Sequence, residues 1–163
     1  MLRHSGKATL AVLVVIAILS AVCFAQPKAN PADDAAIKKL VASWSDSFNK
    51  KDAHACTMVF VDDADFTSVR GQSDYGYAAV EKHYQMVFST FLKNAHRTDT
   101  VKNIRFLTKN WAVVDSNFEM TGAAAPNAAE NAPPVRKGLL SWVVTKRAGQ
   151  WYIVSFHELD FPR

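Results

Sequence analysis

The sequence predicts an α+β fold, in which helices come first along the chain and an antiparallel sheet comes last. Three helical patterns and one strand pattern occupy the first half of the domain. Four strand patterns follow, joined by turns and one loop, which is typical of an antiparallel meander. With 163 residues, 49% of them hydrophobic and 21% charged, the chain is suited to one globular domain with its own core.

The first 25 residues have the layout of a secretory signal peptide and are not expected to belong to the fold. Arg3 and Lys7 give a basic start, an apolar run over 9–22 follows, and Ala25 precedes a plausible cleavage point. The apolar run is about 14 residues long, which is short for a membrane anchor that needs roughly 20. We therefore predict a secreted or periplasmic protein with no membrane association after cleavage. An uncleaved anchor, or a lipoprotein acylated at Cys23, are the alternatives.

The charge of the chain argues against nucleic acid as a partner. The formal net charge is +4, and removing Arg3 and Lys7 with the leader reduces it to +2. Basic residues come in separated pairs rather than in one stripe, and aromatic residues do not alternate with them. We therefore expect neither a continuous basic surface that would bind the phosphates of nucleic acid nor a row of aromatic side chains on which its bases would stack.

The domain begins, after a short tether at 26–30, with an amphipathic helix. Asn30 supplies its N-cap and Pro31 its first turn. The apolar residues of this helix recur at steps of three and four: Ile37, Leu40, Val41, Trp44 and Phe48. The pattern ends near Asn49, and a second, short helix is predicted over residues 53–60.

A strand and a third helix come next. Residues 64–70 show a strand pattern, preceded by a turn at Asp62-Asp63. Ser73 or Asp74 can cap a helix over residues 75–92. The apolar face of this helix consists of Tyr77, Val80, Tyr84, Val87, Phe88 and Phe91.

The rest of the chain predicts four strands, over residues 98–107, 111–121, 136–146 and 150–161. The segment Ala123–Pro134 is low in complexity and contains three prolines, which predicts a hairpin loop within one domain spanning residues 31–163. A curved sheet wrapped on one long helix leaves a cone with an apolar mouth. Concave sites of this kind are natural pockets for small molecules.

Five stretches of the sequence resemble the SnoaL-like branch of the nuclear transport factor two-like superfamily. They are AIKKLVASWSDSFNKKDA, FVDDADFTSVRG, YAAVEKHYQMVF, DTVKNIRFLTKNWAVVDSNFEMTG and GLLSWVVTKRAGQWYIVSFHELD. Within that branch, the chain looks most similar to the SgcJ/EcaC oxidoreductase-like group. The resemblance covers residues 31–160. It implies a cone-shaped half-barrel, with N-terminal helices packed on a curved, mostly antiparallel sheet, a deep pocket, and frequent dimerisation through the open face of the sheet.

The resemblance does not imply one reaction, because the superfamily includes ketosteroid isomerases, polyketide cyclases, dehydratases and non-catalytic binding domains. By alignment of these stretches, the oxyanion tyrosine of the isomerases falls on Trp44, their base near Ser68 and their protonated acid near Ser141. None of these side chains supplies the required group, so the isomerase constellation is absent. The sequence also lacks a G-x-G-x-x-G motif, and no NAD, flavin or other cofactor is expected.

His157 and Asp65 are the candidate catalytic residues. His157 lies in the last strand pattern on the same side as Trp151 and Ile153, which would bring its imidazole into the cone as an acid or base. Asp65 precedes Phe66 in the first strand. Strand alternation places these two side chains on opposite faces, so Asp65 reaches the pocket only if a bulge shifts the register.

Aromatic and polar residues are expected to line the ligand pocket: Trp44, Phe48, Phe60, Phe66, Ser68, His83, Tyr84, Phe88 and Trp142. Asp65, His83 and His157 could form a two-histidine, one-carboxylate set, but they are dispersed without a local motif, and no metal is expected. Cys56 is the one cysteine left after the leader. Its apolar neighbours predict a buried, unreactive thiol.

These observations predict an exported pocket protein that binds a small, largely apolar molecule and forms a homodimer through the sheet face. His157, with Asp65, would supply proton transfer. The alternative is a non-catalytic module that only binds a ligand or dimerises. The missing isomerase residues favour this alternative, whereas an ionisable group inside an apolar cone favours catalysis.

Overall fold

The computed structural model describes residues 30–125 and 134–161. The predicted signal peptide, nearly all of the predicted tether and most of the predicted loop at 123–134 lie outside the described residues. Within the part of the chain that is described, no helix combines the length and apolar character needed to cross a membrane.

Two helices open the fold. Helix α1 (Pro31–Lys50) is capped by Asn30, as expected, and ends at Lys51, where a φ of 59° turns the chain. The short helix α2 (Ala53–Thr57) follows. The predicted continuation of α2 to residue 60 is wrong, because Phe60 already begins a strand.

The next strand and helix differ in their boundaries from the prediction. Strand β1 (Phe60–Thr67) includes Asp62 and Asp63, which were expected to form a turn. The short strand β2 (Ser73–Tyr75) pairs antiparallel with β1 and takes the place of the expected start of the third helix. Helix α3 (Tyr77–Ser89) therefore begins after Gly76, whose φ of 81° favours glycine.

The second half of the domain is the predicted meander: β3 (His96–Thr108), β4 (Trp111–Thr121), β5 (Val135–Arg147) and β6 (Gln150–Asp160). The six strands form one sheet in the order β2-β1-β6-β5-β4-β3. All neighbours are antiparallel except β1 and β6, which are parallel. The α+β class is confirmed, since the helices pack against a curved, unclosed and mostly antiparallel sheet.

The core lies between the helices and the concave face of the sheet. Trp44 of α1 is at its centre, with ring centroids 5.1 Å from Trp142 on β5 and 5.2 Å from Phe156 on β6. Phe60 and Phe88 are also buried in this core. Helix α1 therefore packs the indole of Trp44 against the inner faces of β5 and β6.

A β-bulge interrupts the pairing of β5 and β6. Val144 pairs with Ile153, but Val143 pairs with Ser155, so Val154 is an extra residue on β6. An extra residue in a strand reverses the face on which all following side chains lie. The bulge therefore decides which residues at the end of β6 face the core.

Candidate functional site

A cavity of about 260 Å³ opens between the helices and the concave face of the sheet. Its apolar wall includes Phe48, Phe66, Val69, Val87, Phe91 and Met120. The polar residues of the cavity form two sets, one buried and one near the outside. His83, Arg97 and Glu158 are largely withdrawn from solvent, whereas Arg136 and Asp160 are paired near the outside.

Six of the nine residues expected to line a pocket lie on the wall of this cavity: Trp44, Phe48, Phe66, Ser68, His83 and Tyr84. Phe60, Phe88 and Trp142 are instead packed within the core and do not line it. Helical and strand periodicity separates buried from exposed positions. It does not separate a side chain that faces a cavity from one that faces another side chain.

His157 does not reach the cavity, contrary to expectation. After the bulge in β6, Phe156 and Glu158 face inward, while His157 is exposed on the outer face of the sheet and pairs in register with Ser141. The simple alternation used for the prediction ignores the extra residue, Val154. The expectation that the imidazole enters the cone is therefore corrected.

Asp65 also lies outside the cavity. The pairing of β1 with β6 is irregular between Phe60 and Asp65, but Phe66 still faces the core and Asp65 remains exposed. Asp65, His83 and His157 are not brought together. Among the described residues, no group of three or more His, Cys, Asp or Glu side chains is placed to hold a metal ion.

His83 on α3 and Asp74 on β2 form a pair at the cavity wall. The Nδ1 atom of His83 lies 2.9 Å from the Oδ2 atom of Asp74, and the two side chains are 7% and 18% exposed. The two atoms are in contact but not aligned as a formed hydrogen bond. Catalytic hydrogen bonds are often poorly aligned before substrate binds. The His83 ring also packs on Phe66, with 4.7 Å between ring centroids.

Burial lowers the pKa of His83, and the Asp74 carboxylate offsets part of this effect. The imidazole is therefore neutral near pH 7. A proton on Nδ1, directed at Asp74, leaves Nε2 as the acceptor. An orienting carboxylate beside a neutral imidazole is the arrangement of a general base.

Arg97 of β3 lies at the buried end of the cavity and is 2% exposed. Its Nε–H donates to both carboxylate oxygens of Asp99 at 3.0 Å, and its Nη1 donates to Oε1 of Glu158 at 2.5 Å. Burial acts to lower the pKa of Arg97, but Glu158 and Asp99 outweigh it and raise the pKa. The guanidinium is therefore a permanent cation. It lies 4.9 Å from the ring of Trp44 and 4.2 Å from that of Phe118.

Besides Nδ1 of His83, three buried polar atoms on the cavity residues have no formed hydrogen bond within the described chain. They are Nη2 of Arg97, the hydroxyl of Tyr84 and Nε1 of Trp44. Burial raises the pKa of Tyr84 well above its usual value, and the Trp44 side chain offsets only part of this rise. The Tyr84 hydroxyl thus keeps its proton and is available as a donor.

Sequence reasoning missed Arg97, Glu158 and Asp74. Arg97 precedes the predicted strand at 98–107, and an arginine normally indicates a solvated position. Glu158 lies next to His157, so the alternation that places His157 in the cone leaves no reason to consider Glu158. Asp74 was interpreted as a helix cap. The one signal in the sequence is the spacing of Arg97 and Asp99, because side chains two residues apart in a strand lie on the same face.

The cysteine prediction agrees with the local structure. Cys56 is free and buried in α2. Burial raises the pKa of its thiol to about 12, with a further contribution from Asp52. A thiol with such a pKa carries almost no thiolate at neutral pH.

A curved sheet backed by helices, with a buried polar end in its cavity, defines the class of cone-shaped α+β domains that enclose small ligands. Residues 30–157 match the family model of the SnoaL-like domain, and the chain belongs to this family. The predicted resemblance to the SnoaL-like branch is confirmed. The narrower assignment to the SgcJ/EcaC group stays a prediction.

Solved structures with the same fold come from several bacteria. A domain of unknown function with a cystatin-like fold from Nostoc punctiforme has a TM-score of 0.70 and 22% identity, over 83% of this chain and 81% of that chain. A protein with a cystatin-like fold from Caulobacter vibrioides has a TM-score of 0.72 and 16% identity, over 79% and 89%.

A ketosteroid isomerase-like protein from Erwinia carotovora atroseptica has a TM-score of 0.64 and 19% identity, over 79% of this chain and 96% of that chain. At these identities the three similarities show the fold alone. No curated protein is a significant sequence match to this chain.

Proposed function

We propose that this SnoaL-like domain binds a small, largely apolar molecule in the cavity and catalyses proton transfer on it. His83 is the acid/base residue and Asp74 is the positioning residue. The observation that carries this proposal is the contact between a buried, neutral imidazole and a carboxylate on the wall of an apolar cavity. This pair replaces His157 and Asp65, whose side chains lie outside the cavity.

The chemical step follows from the geometry of the pair. Nε2 of neutral His83 accepts a proton from an acidic C–H group of the bound molecule, and the electron pair of that bond stays on the molecule. Asp74 stabilises the positive charge that develops on the imidazole. Return of the proton to a different atom gives an isomerisation, and departure of a leaving group gives an elimination.

Deuterium exchange tests this step without knowledge of the natural substrate. The protein is incubated in D2O with a panel of cyclic and aryl ketones that carry acidic α-hydrogens, and deuterium uptake is measured by mass spectrometry. We expect exchange above the buffer rate for ketones that bind, and a loss of about 10²-fold or more in His83→Gln. The exposed histidine provides a matched control, since His157→Gln should retain the rate. Full exchange by His83→Gln would overturn the proposal.

Ligand binding without catalysis is the second candidate function. Trp44 lies on the cavity wall, at the position that corresponds to the oxyanion tyrosine of the isomerases in the sequence comparison, and offers only an N–H group. Ketones that bind in the cavity but never exchange, with wild type equal to His83→Gln, would favour this function over catalysis.

We also propose that the chain is exported with cleavage of its leader, and that it self-associates through the outer face of the sheet. The basic and apolar layout of residues 1–25 supports export. Exposed apolar side chains on the outer face support self-association: Leu159 is 60% exposed, Val135 40% and Trp111 39%. Mass measurement of the protein recovered from its own host tests the cleavage.

A further inference from the structure

We infer that the buried end of the cavity binds a neutral hydroxyl group on an aromatic or enolic ring, and discriminates against a carboxylate. The oxygen of that hydroxyl accepts from Arg97, and its hydrogen is donated to Glu158. The inference rests on the proposed function, because it names the ligand class of the same cavity. Its support comes from the unused hydrogen-bonding groups, from the local charge and from the aromatic wall.

The guanidinium of Arg97 has hydrogen-bonding capacity that the protein does not use. Its Nε–H is bound to Asp99 and its Nη1 to Glu158, but Nη2 has no partner among the described residues. An unsatisfied donor on a buried charged group is costly, so its presence on a cavity wall indicates an acceptor oxygen of a ligand. The buried hydroxyl of Tyr84 is a second unused donor on the same wall.

The carboxylate of Glu158, which accepts from Arg97, also has hydrogen-bonding capacity that the protein does not use. Glu158 uses Oε1 to accept from Arg97, and within the described chain Oε2 has no hydrogen-bond partner. Arg97 and Glu158 thus meet through one oxygen and one nitrogen, not as a bidentate pair. A hydroxyl group both accepts and donates, and so it matches a free N–H beside a free carboxylate oxygen.

The local charge disfavours an anion. Arg97 is one cation between two carboxylates, Asp99 with a side chain that is fully buried and Glu158 with one that is 12% exposed. A bound carboxylate would place a third negative charge beside a single positive one, at low effective dielectric. The other charged groups lie further out. Arg136 is already paired with Asp160, and Arg70 is exposed.

The walls next to these polar groups are aromatic. The indole of Trp44, the phenyl ring of Phe66 and the phenol of Tyr84 all line the cavity, and Phe66 and Tyr84 lie in edge contact with 5.6 Å between centroids. Aromatic side chains favour a flat ring through offset or edge contacts. A planar ring bearing a hydroxyl group therefore fits both parts of the cavity.

Three naphthalene probes separate these contributions. Naphthalene reports the apolar cavity, 2-naphthol adds the hydroxyl group, and naphthalene-2-carboxylate adds an anion. Binding is measured by calorimetric titration at pH 7, where 2-naphthol is neutral. We expect 2-naphthol to bind about fivefold tighter than naphthalene and about tenfold or more tighter than the carboxylate.

Glu158→Gln tests the charge argument directly. The glutamine amide can still accept from Arg97 but carries no charge, so we expect the carboxylate probe to gain about tenfold in affinity. Glu119→Gln is the matched control, because Glu119 is exposed, pairs with Lys137 and does not line the cavity, and it should leave the ranking of the probes unchanged. If Glu158→Gln does not fold, Tyr84→Phe provides a second test, because it should weaken 2-naphthol by about fivefold and leave naphthalene unaffected.

The outcomes distinguish this inference from the proposed function. A carboxylate that binds wild-type protein as tightly as 2-naphthol overturns the inference. Equal binding of naphthalene and 2-naphthol also overturns it, but leaves an apolar ligand cavity in place. If none of the three probes binds and no ketone exchanges deuterium, the inference and the proposed ligand binding both fail. If none of the probes binds but a ketone does exchange deuterium, only the inference fails.

Discussion

Arg97 and Asp99 lie two positions apart on β3, and the Nε–H group of Arg97 donates to both carboxylate oxygens of Asp99 at 3.0 Å. Alternate residues of a strand share one face, so the pair points into the core together. Ser45 of α1 donates to Asp99 at 2.6 Å, and Glu158 of β6 accepts from Arg97. This ionic cluster therefore joins α1, β3 and β6 beneath the cavity.

Removing the cation of this cluster should be strongly destabilising. In Arg97→Met, Asp99 and Glu158 would face each other with no cation between them, and we expect the free energy of unfolding to fall by about 3–5 kcal/mol. Urea denaturation measures the change. Arg136→Met is the control, because the pair of Arg136 with Asp160 is partly exposed, and it should cost less than about 1 kcal/mol. Equal losses in the two variants would contradict a structural role for the buried cluster.

Asp33 should make the stability of the domain depend on pH in the acid range. It accepts from Nζ of Lys146 at 2.6 Å and from Nε1 of Trp151 at 3.0 Å, which ties the start of α1 to β5 and β6. These hydrogen bonds lower the pKa of Asp33 below 3.8. Its contribution is therefore present above the pKa of the unfolded chain and is lost as the pH falls through the lower, folded-state pKa.

The variant Asp33→Asn should lower the free energy of unfolding by about 1 kcal/mol at pH 7. The difference from wild type should shrink as the pH is lowered below 4, because the wild-type carboxylate is then protonated as well. Thermal unfolding followed at a series of pH values measures this convergence. A difference that stays constant down to pH 2 would mean that the charge of Asp33 contributes nothing.

The predictable and unpredictable parts of this molecule differ in physical origin. Helix α1 could be predicted because its N-cap, its proline and its apolar spacing are local signals, and β4 because its turns and alternation are regular. The end of β6 could not, since the bulge at Val154 depends on pairing with β5. Arg97 could not be predicted either, because its burial depends on Asp99 and on Glu158, a residue distant in sequence.

The titration of His83 should show the effect of its environment. Burial lowers its pKa, so we expect a midpoint below 6.5 in an NMR titration of the ring protons. Asp74 opposes this shift, and Asp74→Asn should therefore move the midpoint still lower. If His83 is the base, deuterium exchange should rise with pH along the same curve in each protein. A midpoint above 6.5, or an upward shift in Asp74→Asn, would contradict the assigned environment.

The outer face of the sheet provides the test of self-association. Leu159 lies on β6 directly opposite Leu139 of β5, and both side chains point away from the helices. A lysine at an interface position introduces a charge that must be desolvated, so Leu159→Lys should convert a dimer into a monomer in light scattering after gel filtration. Met58, which is 59% exposed and follows α2, is the matched control. Since Met58→Lys changes an equally exposed apolar side chain away from the sheet, it should leave the dimer intact. A monomeric wild-type protein, or dissociation by both variants, would contradict an interface on this face.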